Sequence, residues 1–294
     1  MHLNSLSLLN FKNITQVELN LSNRVNCFLG DNGQGKTNLL DAIFHLSYTK
    51  SFFNSIDSQN IKFDESFYVI QGAVTNDKDN FSLYCALKKG DKKVFRKNKK
   101  TYKKLADHIG LFPVVMITPY DINLVLEGSE TRRRFLDGLI AQFDKSYLQE
   151  LLNYNKLLKQ RNALLKIHNK SISNELMEVY ELQMEEKAHF IFNRRSEFVV
   201  DFIPIFNQFY SEISFNKENV GLDYISALSE STMKEIFSQN RDKDNILSYT
   251  SSGVHRDDLA FTIEGNSLKK FGSQGQQKTF LIALKLAMFN YIKE

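Results

Sequence analysis

The 294-residue sequence has no tryptophan, only three prolines and only two cysteines. Cys27 and Cys85 lack metal-ligand spacing and fall in apolar runs, which excludes a disulfide framework and predicts two small buried side chains. The formal net charge of +4 is too small to name a partner, so any basic surface has to be local. The first residues lack the basic and apolar regions of a signal peptide, and no uncharged apolar run approaches membrane-spanning length. These absences predict a cytoplasmic protein that does not associate with membranes.

What the sequence does contain is a complete P-loop, Gly30-Asp31-Asn32-Gly33-Gln34-Gly35-Lys36-Thr37. It follows an apolar run at 24–29, which reads as a strand, and precedes 38–48, which reads as an amphipathic helix; this order is the one that the motif requires. Glycines permit positive φ and leave room for a phosphate against the backbone. Amide groups of the loop and of the helix N-terminus then point at the anion.

The motif predicts that the chain binds a nucleoside triphosphate with Mg²⁺, or descends from a protein that did. Lys36 would reach the β- and γ-phosphates, and the hydroxyl group of Thr37 would ligate Mg²⁺. The predicted ATP-binding residues are Gly30, Asn32, Gly33, Gly35, Lys36, Thr37 and Asn38.

The pattern along the chain predicts an α/β head that is interrupted by a helical insertion. Strands are predicted at 6–11, 16–21, 24–29, 67–75, 81–88 and 111–118. Residues 130–215 contain one proline and one glycine, and apolar spacing predicts two helices near 148–165 and 176–209 with a turn at 169–174. Strand-like patterning returns at 247–263, and a helix follows at 276–293. We therefore assign 1–138 and 246–294 to the head and 139–245 to a helical lobe.

A second constellation, Ser273-Gln274-Gly275-Gln276, stands directly before the last predicted helix. This Ser-x-Gly-Gln sequence resembles the signature motif of ATP-binding-cassette ATPases, which presents an anion site to the γ-phosphate held by another subunit's P-loop. A simple helix cap by Ser273 would use the same residues. The P-loop in the same chain favours the signature interpretation, with Ser273, Gly275 and Gln276 acting in trans.

Five ordered segments, at 33–40, 119–137, 158–166, 253–259 and 273–286, are similar to the RecF family, recombination-mediator ATPases related to the SMC and Rad50 heads. The resemblance implies a P-loop ATP-binding-cassette, SMC-like α/β head with an inserted helical lobe. It also implies an ATP-dependent homodimer on double-stranded, gapped or junction DNA, which aids RecA loading with RecR and RecO. The implied roles are DNA repair, DNA replication and the SOS response.

The sequence departs from the family pattern at several positions. Lys12 and Phe53 stand where arginine is common, and Tyr120 and Glu130 replace an acidic residue and a proline. The sequence shows no buried strand that ends in paired aspartates, the Walker B segment, so the catalytic residues are unknown. Asp121 is a poor substitute because Pro119 disfavours a central strand before it. We therefore expect residues 1–294 to bind ATP without efficient hydrolysis, and leave open whether Glu294 is the natural end.

Two basic segments and one histidine remain. Residues 88–104 hold ten Lys/Arg and one acid, in a pattern that predicts a hairpin. The hairpin is either a solvated surface or a contact to DNA phosphates, for which Lys97, Lys99 and Lys100 are the candidates. The cluster at 132–134 opposes the dipole of a helix start and therefore predicts a phosphate or carboxylate partner. His255 is predicted to be a loop histidine rather than a metal ligand.

Two alternative functions stay open at this point. Asp257 and Asp258 lack a preceding apolar strand and are read as structural or coupling residues. If no acid serves hydrolysis, the chain is an ATP-gated DNA-binding or interaction module in which nucleotide joins two copies. The other alternative is the SMC-like head of a defence ATPase, which would need an added effector domain.

Overall fold

The computed structural model describes residues 1–76, 79–167 and 174–293, and divides into two compact units, residues 1–114 and 115–294. The strands are β1 (His2–Phe11), β2 (Ile14–Asn20), β3 (Phe67–Thr75), β4 (Asn80–Lys88), β5 (Val94–Lys97), β6 (Lys100–Thr101), β7 (Val220–Ile225), β8 (Asp258–Ile263) and β9 (Asn266–Ser267). The helices are α1 (Lys36–Tyr48), α2 (Asn123–Leu126), α3 (Ser129–Ile140), α4 (Lys145–Leu165), α5 (Asn174–Ser214), α6 (Met233–Leu247), α7 (Leu268–Phe271) and α8 (Gln274–Lys293).

The first unit is built on an antiparallel sheet with the strand order β2-β1-β3-β4-β5-β6. Alternate residues of β1, β3 and β4 are buried over most of their length, as Leu6 and Leu8 of β1 and Leu83 and Cys85 of β4 show. This alternation gives each of these three strands one apolar face toward the core. The strands predicted near 6–11, 16–21, 67–75 and 81–88 are confirmed, and so is the burial of Cys85.

The helix that follows the P-loop packs on this sheet through its apolar side. Ala42 and Leu46 of α1 are fully buried. Gly72 of β3 makes this approach possible, because a Cβ atom there would lie 2.7 Å from Cδ1 of Leu46. The packing places the first turn of α1, and with it the P-loop, at a defined position in the unit.

The predicted strand at 24–29 is not formed. Val25 is 83% exposed and Leu29 is 87% exposed, so these apolar side chains do not pack in a core. Cys27 is exposed as well, and its predicted burial is wrong. A strand depends on the hydrogen bonds that it makes with a neighbour, and none of the strands in the described ranges pairs with this run.

The predicted strand at 111–118 is wrong for a similar reason: its residues belong to no strand of the described sheets. Met116 is buried, but Ile117 is 56% exposed. Pro119 then begins a 3₁₀ turn, in which the carboxylate of Asp121 accepts a hydrogen bond from the Thr118 amide. A proline at this position supplies no amide hydrogen to a sheet.

The second unit is mainly helical. The two predicted long helices are confirmed as α4 and α5, which pack against each other, and α5 also packs along α8. Residues 169–173 of the turn predicted at 169–174 lie outside the described residues, and Asn174 is the first residue of α5. A small sheet with the order β7-β8-β9 completes the unit. The strand β7 was not predicted and lies within 139–245; of the run 247–263, only β8 is a strand.

None of the described helices combines the length and apolar character that crossing a membrane requires. The assignment of 1–138 and 246–294 to a head and of 139–245 to a lobe stays a prediction.

Candidate nucleotide and nucleic-acid sites

The P-loop adopts the backbone conformation that its glycines allow. Gly30, Gly33 and Gly35 have φ angles of 148°, 86° and 97°. These angles lie in the region that residues with a Cβ avoid, so the three glycines have a conformational role. Gly35 directly precedes α1, and the side chain of Thr37 in the first helical turn is exposed. The loop therefore leads into the free amide groups of a helix N-terminus, which favours an anion there.

The side chain of Lys36 is folded across this loop. Its ammonium group donates hydrogen bonds to the carbonyl oxygens of Gly30 and Asp31, at 2.7 Å each. These carbonyl groups carry no net charge, whereas a phosphate does, and charge-assisted hydrogen bonds are the stronger ones. The side chain can therefore exchange its carbonyl partners for the oxygens of a bound triphosphate.

Asn13 is a residue of this site that the sequence did not reveal. Its carboxamide nitrogen donates to the carbonyl oxygen of Gly33 at 2.6 Å, and its oxygen accepts from Asn38 Nδ2 at 2.7 Å. A Cβ atom on Gly35 would lie only 2.8 Å from Asn13 Oδ1. Asn13 thus fixes the loop from outside it. No local signal could have identified it, because twenty residues separate Asn13 from Gly33.

A buried ion pair holds α1 behind the loop. The ammonium group of Lys12 lies 2.5 Å from Oδ2 of the fully buried Asp41. The same carboxylate accepts hydrogen bonds from the Ser51 hydroxyl and the Phe52 amide, both at 2.7 Å. Lys12 also lies 5.1 Å from the ring centroid of Phe53. Lys12 and Phe53, which both stand where arginine is common in the family, therefore contact each other.

The predicted signature residues begin α8 in the second unit. The hydroxyl oxygen of Ser273 accepts from the Gln276 amide at 3.2 Å, and Gln276 Oε1 accepts from the Ser273 amide at 2.7 Å. These reciprocal bonds form a capping box, so Ser273 does cap the helix. Ser273 and Gly275 are both exposed. The cap and a signature role are compatible, because the cap leaves the hydroxyl hydrogen of Ser273 unused.

Asp121 is engaged in a buried contact. Its Oδ1 atom lies 2.9 Å from the ammonium group of Lys285 in α8, and Oδ2 accepts from the Thr118 amide at 2.7 Å. Lys285 also donates to the carbonyl oxygen of Met116 at 2.9 Å. Asp121 therefore ties the turn that follows residue 118 to α8.

Asp257 and Asp258 also face arginines. Nη1 of the buried Arg195 lies 3.0 Å from Oδ2 of Asp257, and the Tyr224 hydroxyl donates to the same carboxylate. Burial raises the pKa of Asp257, and the charge of Arg195 opposes that rise. Asp258 accepts from Arg132 at 2.7 Å and 2.9 Å. Arg132 thus has the carboxylate partner that its position at a helix start predicted.

His255 has a protein partner at each ring nitrogen. Its Nδ1 atom lies 2.8 Å from the Tyr154 hydroxyl, and its Nε2 atom lies 3.0 Å from the carbonyl oxygen of Thr250. Burial lowers its pKa to about 4. The described residues contain no group of three or more His, Cys, Asp or Glu side chains that could hold a metal ion.

Residues 88–104 form the predicted hairpin, but their cations are not equivalent. Lys93 is nearly buried, and its ammonium group lies 2.7 Å from both carboxylate oxygens of Asp57. Lys97 is half-buried with its ammonium group 4.7 Å from the ring centroid of Phe81. Lys93 therefore has a structural partner, whereas most of the other cations are exposed.

The tip of the hairpin concentrates positive charge. Asn98 and Lys99 form a two-residue turn with φ angles of 48° and 67°, and Lys97 pairs directly with Lys100 across it. The turn is fixed to β4, because Asn98 Oδ1 accepts from the Ser82 amide at 2.8 Å. Like charges directly opposite each other destabilise a sheet. An anion that bridges Lys97 and Lys100 would relieve this repulsion.

A glycine loop that opens a helix on an α/β unit, together with a Ser-x-Gly-Gln helix start, defines an ATP-binding-cassette P-loop head. The family model described as RecF/RecN/SMC N terminal domain matches residues 2–294. The crystal structure of the SmcHead bound to the C-winged helix domain of ScpA shares this fold, with a TM-score of 0.55 at 13% identity over 99% of this chain and 77% of that chain.

Relatives with higher identity define the family. The DNA replication and repair protein RecF of Flavobacterium johnsoniae is 49% identical over 100% of this chain and 82% of its own length. Its counterpart in Phocaeicola vulgatus is 48% identical over 100% and 79%. The structure described as the recombination mediator protein RecF-ATP in the RecFOR pathway matches with a TM-score of 0.94 at 31% identity, over 99% of this chain and 81% of that chain. The chain belongs to the RecF family, and the predicted resemblance is confirmed.

Proposed function

We propose that this chain is an ATP-dependent DNA-binding protein of recombinational repair and replication-fork maintenance. The observation that carries the proposal is the P-loop, with three left-handed glycines and Lys36 folded over them. Support comes from relatives that are named DNA replication and repair proteins and from a similar structure that is described as RecF-ATP.

Each residue of the P-loop has a distinct part in this proposal. The amide groups around Gly30, Asn32, Gly33 and Gly35 surround the phosphates, and Lys36 leaves its carbonyl partners to bind them. Magnesium, when bound, neutralises phosphate charge, and the exposed hydroxyl of Thr37 is suited to ligate it. Asn38 stays in contact with Asn13 and supports the loop from the first helical turn.

The second part of the proposal is a homodimer that forms on ATP. Ser273 and Gly275 are exposed at the start of a 20-residue helix, so they are accessible to a second copy. In this arrangement, the P-loop of one copy holds the triphosphate and the signature residues of the other copy contact its γ-phosphate. Nucleotide then acts as part of the interface.

The third part concerns DNA. The hairpin tip offers Lys97, Lys99 and Lys100 to the phosphate backbone, and the repulsion between Lys97 and Lys100 favours an anionic partner. Contacts of this kind are insensitive to sequence and weaken with salt. Gapped or junction DNA, the mediators RecR and RecO, RecA loading, the SOS response and a cytoplasmic location come from the family resemblance.

One observation favours a form of this function in which the chain binds ATP but does not hydrolyse it. Asp121, Asp257 and Asp258 each contact a lysine or arginine in the second unit. An acid that positions Mg²⁺ or water has to reach the phosphates instead. Residues 1–294 would then use ATP as a ligand that gates association.

ATP-gated DNA binding tests the proposal. Fluorescence anisotropy with a labelled gapped duplex should show tighter binding with ATP and Mg²⁺ than without nucleotide, by roughly tenfold, a typical coupling between two sites. Lys36→Ala should remove this difference and leave the nucleotide-free affinity unchanged. Equal affinities in all conditions would overturn the proposal.

A further inference from the structure

The side chain of Gln276 has both ends of its carboxamide engaged. Its nitrogen Nε2 donates to Oε1 of Glu218 at 2.7 Å, and its oxygen accepts from the Ser273 amide at 2.7 Å. A carboxylate can only accept, so Glu218 requires the NH₂ end of the carboxamide to face it. Glu218 and the Ser273 amide therefore favour the same orientation of Gln276, with its NH₂ group toward Glu218 and its oxygen toward Ser273.

The capped helix start leaves the Ser273 hydroxyl with one hydrogen-bonding group to offer. Its hydroxyl oxygen already accepts from the Gln276 backbone amide at 3.2 Å. The hydroxyl hydrogen is not needed for this bond, and Ser273 is exposed. The residue thus presents a hydrogen-bond donor to the surroundings, which is what a phosphate oxygen requires.

Glu218 is itself anchored by buried structure. The Tyr210 hydroxyl donates to Oε2 of Glu218 at 2.6 Å. Tyr210 is only 1% exposed, and its ring centroid lies 6.2 Å from that of Phe280, one turn beyond Gln276 in α8. The hydrogen bonds from Tyr210 and Gln276 lower the pKa of Glu218, so the carboxylate is ionised at neutral pH.

The backbone on the far side of Glu218 is also fixed. The Asn219 amide donates to Glu264 Oε1 at 2.6 Å, and the Glu264 amide donates to the Asn219 carbonyl at 2.8 Å. Glu218 therefore connects the end of α5, the start of β7 and the start of α8. It contributes no atom to the Ser-x-Gly-Gln sequence, and 58 residues separate it from Gln276.

We propose that Glu218 is the positioning residue of the signature motif: by orienting Gln276, it keeps the Ser273 hydroxyl directed at a phosphate presented by a second copy of the chain. This inference rests on the proposed trans role of Ser273. Without Glu218, the carboxamide of Gln276 is held only at its oxygen, by the Ser273 amide, and its NH₂ group turns to water. A side chain with one fixed partner instead of two is held less firmly, so the cap that holds the serine would open more often.

Three variants separate positioning from simple stability. Glu218→Ala removes the acceptor. Glu218→Gln keeps an oxygen for Gln276 and can receive Tyr210 in the reversed sense, so it is the conservative rescue. Glu212→Ala is the matched control, because Glu212 accepts a similar bond from Gln208 at 3.1 Å within α5 and does not touch the signature.

ATP-dependent dimerisation is measured by analytical ultracentrifugation, together with nucleotide affinity of the monomer and the melting temperature. Glu218→Ala should weaken the dimer by roughly tenfold, the worth of one charge-assisted hydrogen bond. Glu218→Gln and Glu212→Ala should dimerise like the wild type, and all should bind nucleotide equally. In NMR spectra, the side-chain amide of Gln276 should exchange with solvent faster in Glu218→Ala alone.

The outcomes that overturn the inference are distinct. A wild type that stays monomeric with ATP and Mg²⁺ overturns the trans role itself, and the inference with it. If the wild type dimerises and Glu218→Ala matches it, Glu218 does not position the motif. If Glu218→Gln dimerises as weakly as Glu218→Ala, and both variants melt at a lower temperature than the wild type, the role of Glu218 is structural only.

Discussion

The ammonium nitrogen of Lys285 lies 2.9 Å from a carboxylate oxygen of Asp121, and both side chains are buried. Removing one partner of such a pair leaves an uncompensated buried charge, which typically costs about 3–5 kcal/mol. Asp121 therefore stabilises the turn against α8. An aspartate that is held in this way is not available to position Mg²⁺ or water for phosphoryl transfer.

The purified chain of residues 1–294 should accordingly show negligible ATP hydrolysis while it binds ATP. Phosphate release under multiple-turnover conditions measures this directly, and Lys36→Ala supplies the background rate. Release well above that background would contradict the prediction. Asp121→Asn and Asp257→Asn would then show which acid is responsible.

Lys36→Ala should weaken ATP binding by at least roughly tenfold, because it removes a charge-assisted hydrogen bond to the phosphates. Titration with a fluorescent ATP analogue measures the affinity. Lys89→Ala is the matched control, since it removes an exposed lysine outside the loop. Equal affinities in all three proteins would contradict the phosphate-binding role of the loop.

Ser273→Arg should prevent ATP-induced dimerisation and leave nucleotide binding by the monomer intact, because a long side chain would fill the space meant for the γ-phosphate. Thr232→Arg is the control: Thr232 closes an equivalent capping box at the start of α6. Loss of either cap costs about 1 kcal/mol of stability. Dimers of Ser273→Arg in size-exclusion chromatography with ATP would exclude the signature role.

Charge reversal at Lys97, Lys99 and Lys100 should weaken DNA binding and flatten its salt dependence. The slope of log K against log salt should fall in magnitude by up to about 3, because each phosphate that the protein no longer neutralises removes about 0.9 from it. Reversal of Lys156, Lys159 and Lys166 in or beside α4 changes the net charge equally. If the slope of the hairpin variant is unchanged, Lys97, Lys99 and Lys100 do not contact DNA phosphates and form a solvated surface.

Acid should destabilise the first unit through its buried histidines. Burial, with smaller contributions from Lys93 and Lys12, lowers the pKa of His45 from 6.5 to about 3. Burial lowers the pKa of His108 to about 4, although its bond to the Leu46 carbonyl opposes the shift. Between these values and 6.5, the unfolded chain binds protons that the folded chain does not. The free energy of unfolding therefore falls as the pH decreases through this window, by about 1.4 kcal/mol per pH unit for each histidine.

His45→Phe tests this expectation, because phenylalanine keeps a ring against Phe11 and Tyr68 but cannot take up a proton. At pH 7 the variant should be less stable, since the Tyr68 hydroxyl loses its partner at 3.3 Å. Urea unfolding between pH 7 and pH 4.5 should nevertheless show a shallower loss of stability than in the wild type. Parallel curves for the two proteins would contradict the assignment.

The sequence was informative where structure is local. The P-loop, α1 and the strands β1 to β4 follow from glycine positions and apolar alternation within a few residues. The contacts that complete the sites join distant positions: Asn13 reaches Gly33, and Lys93 reaches Asp57 across 36 residues. Side-chain type alone does not indicate which of ten clustered cations has a buried partner.

The two wrong strands, at 24–29 and 111–118, show a different limit. Their apolar composition is typical of a buried strand, but a strand forms only where a neighbouring strand pairs with it. The pattern of one segment does not contain the position of its neighbour.

The exposed run at 25–29 has a consequence for how tightly the neighbouring loop can hold a ligand. Within the described chain, the backbone amides of these residues make no backbone hydrogen bond, so they should exchange rapidly with deuterated water. A triphosphate that fixes the loop in one conformation also has to restrict the run that leads into it. That loss of conformational entropy subtracts from the binding free energy. A contact that orders residues 25–29 before the nucleotide binds should therefore raise the nucleotide affinity, even if that contact does not involve the nucleotide.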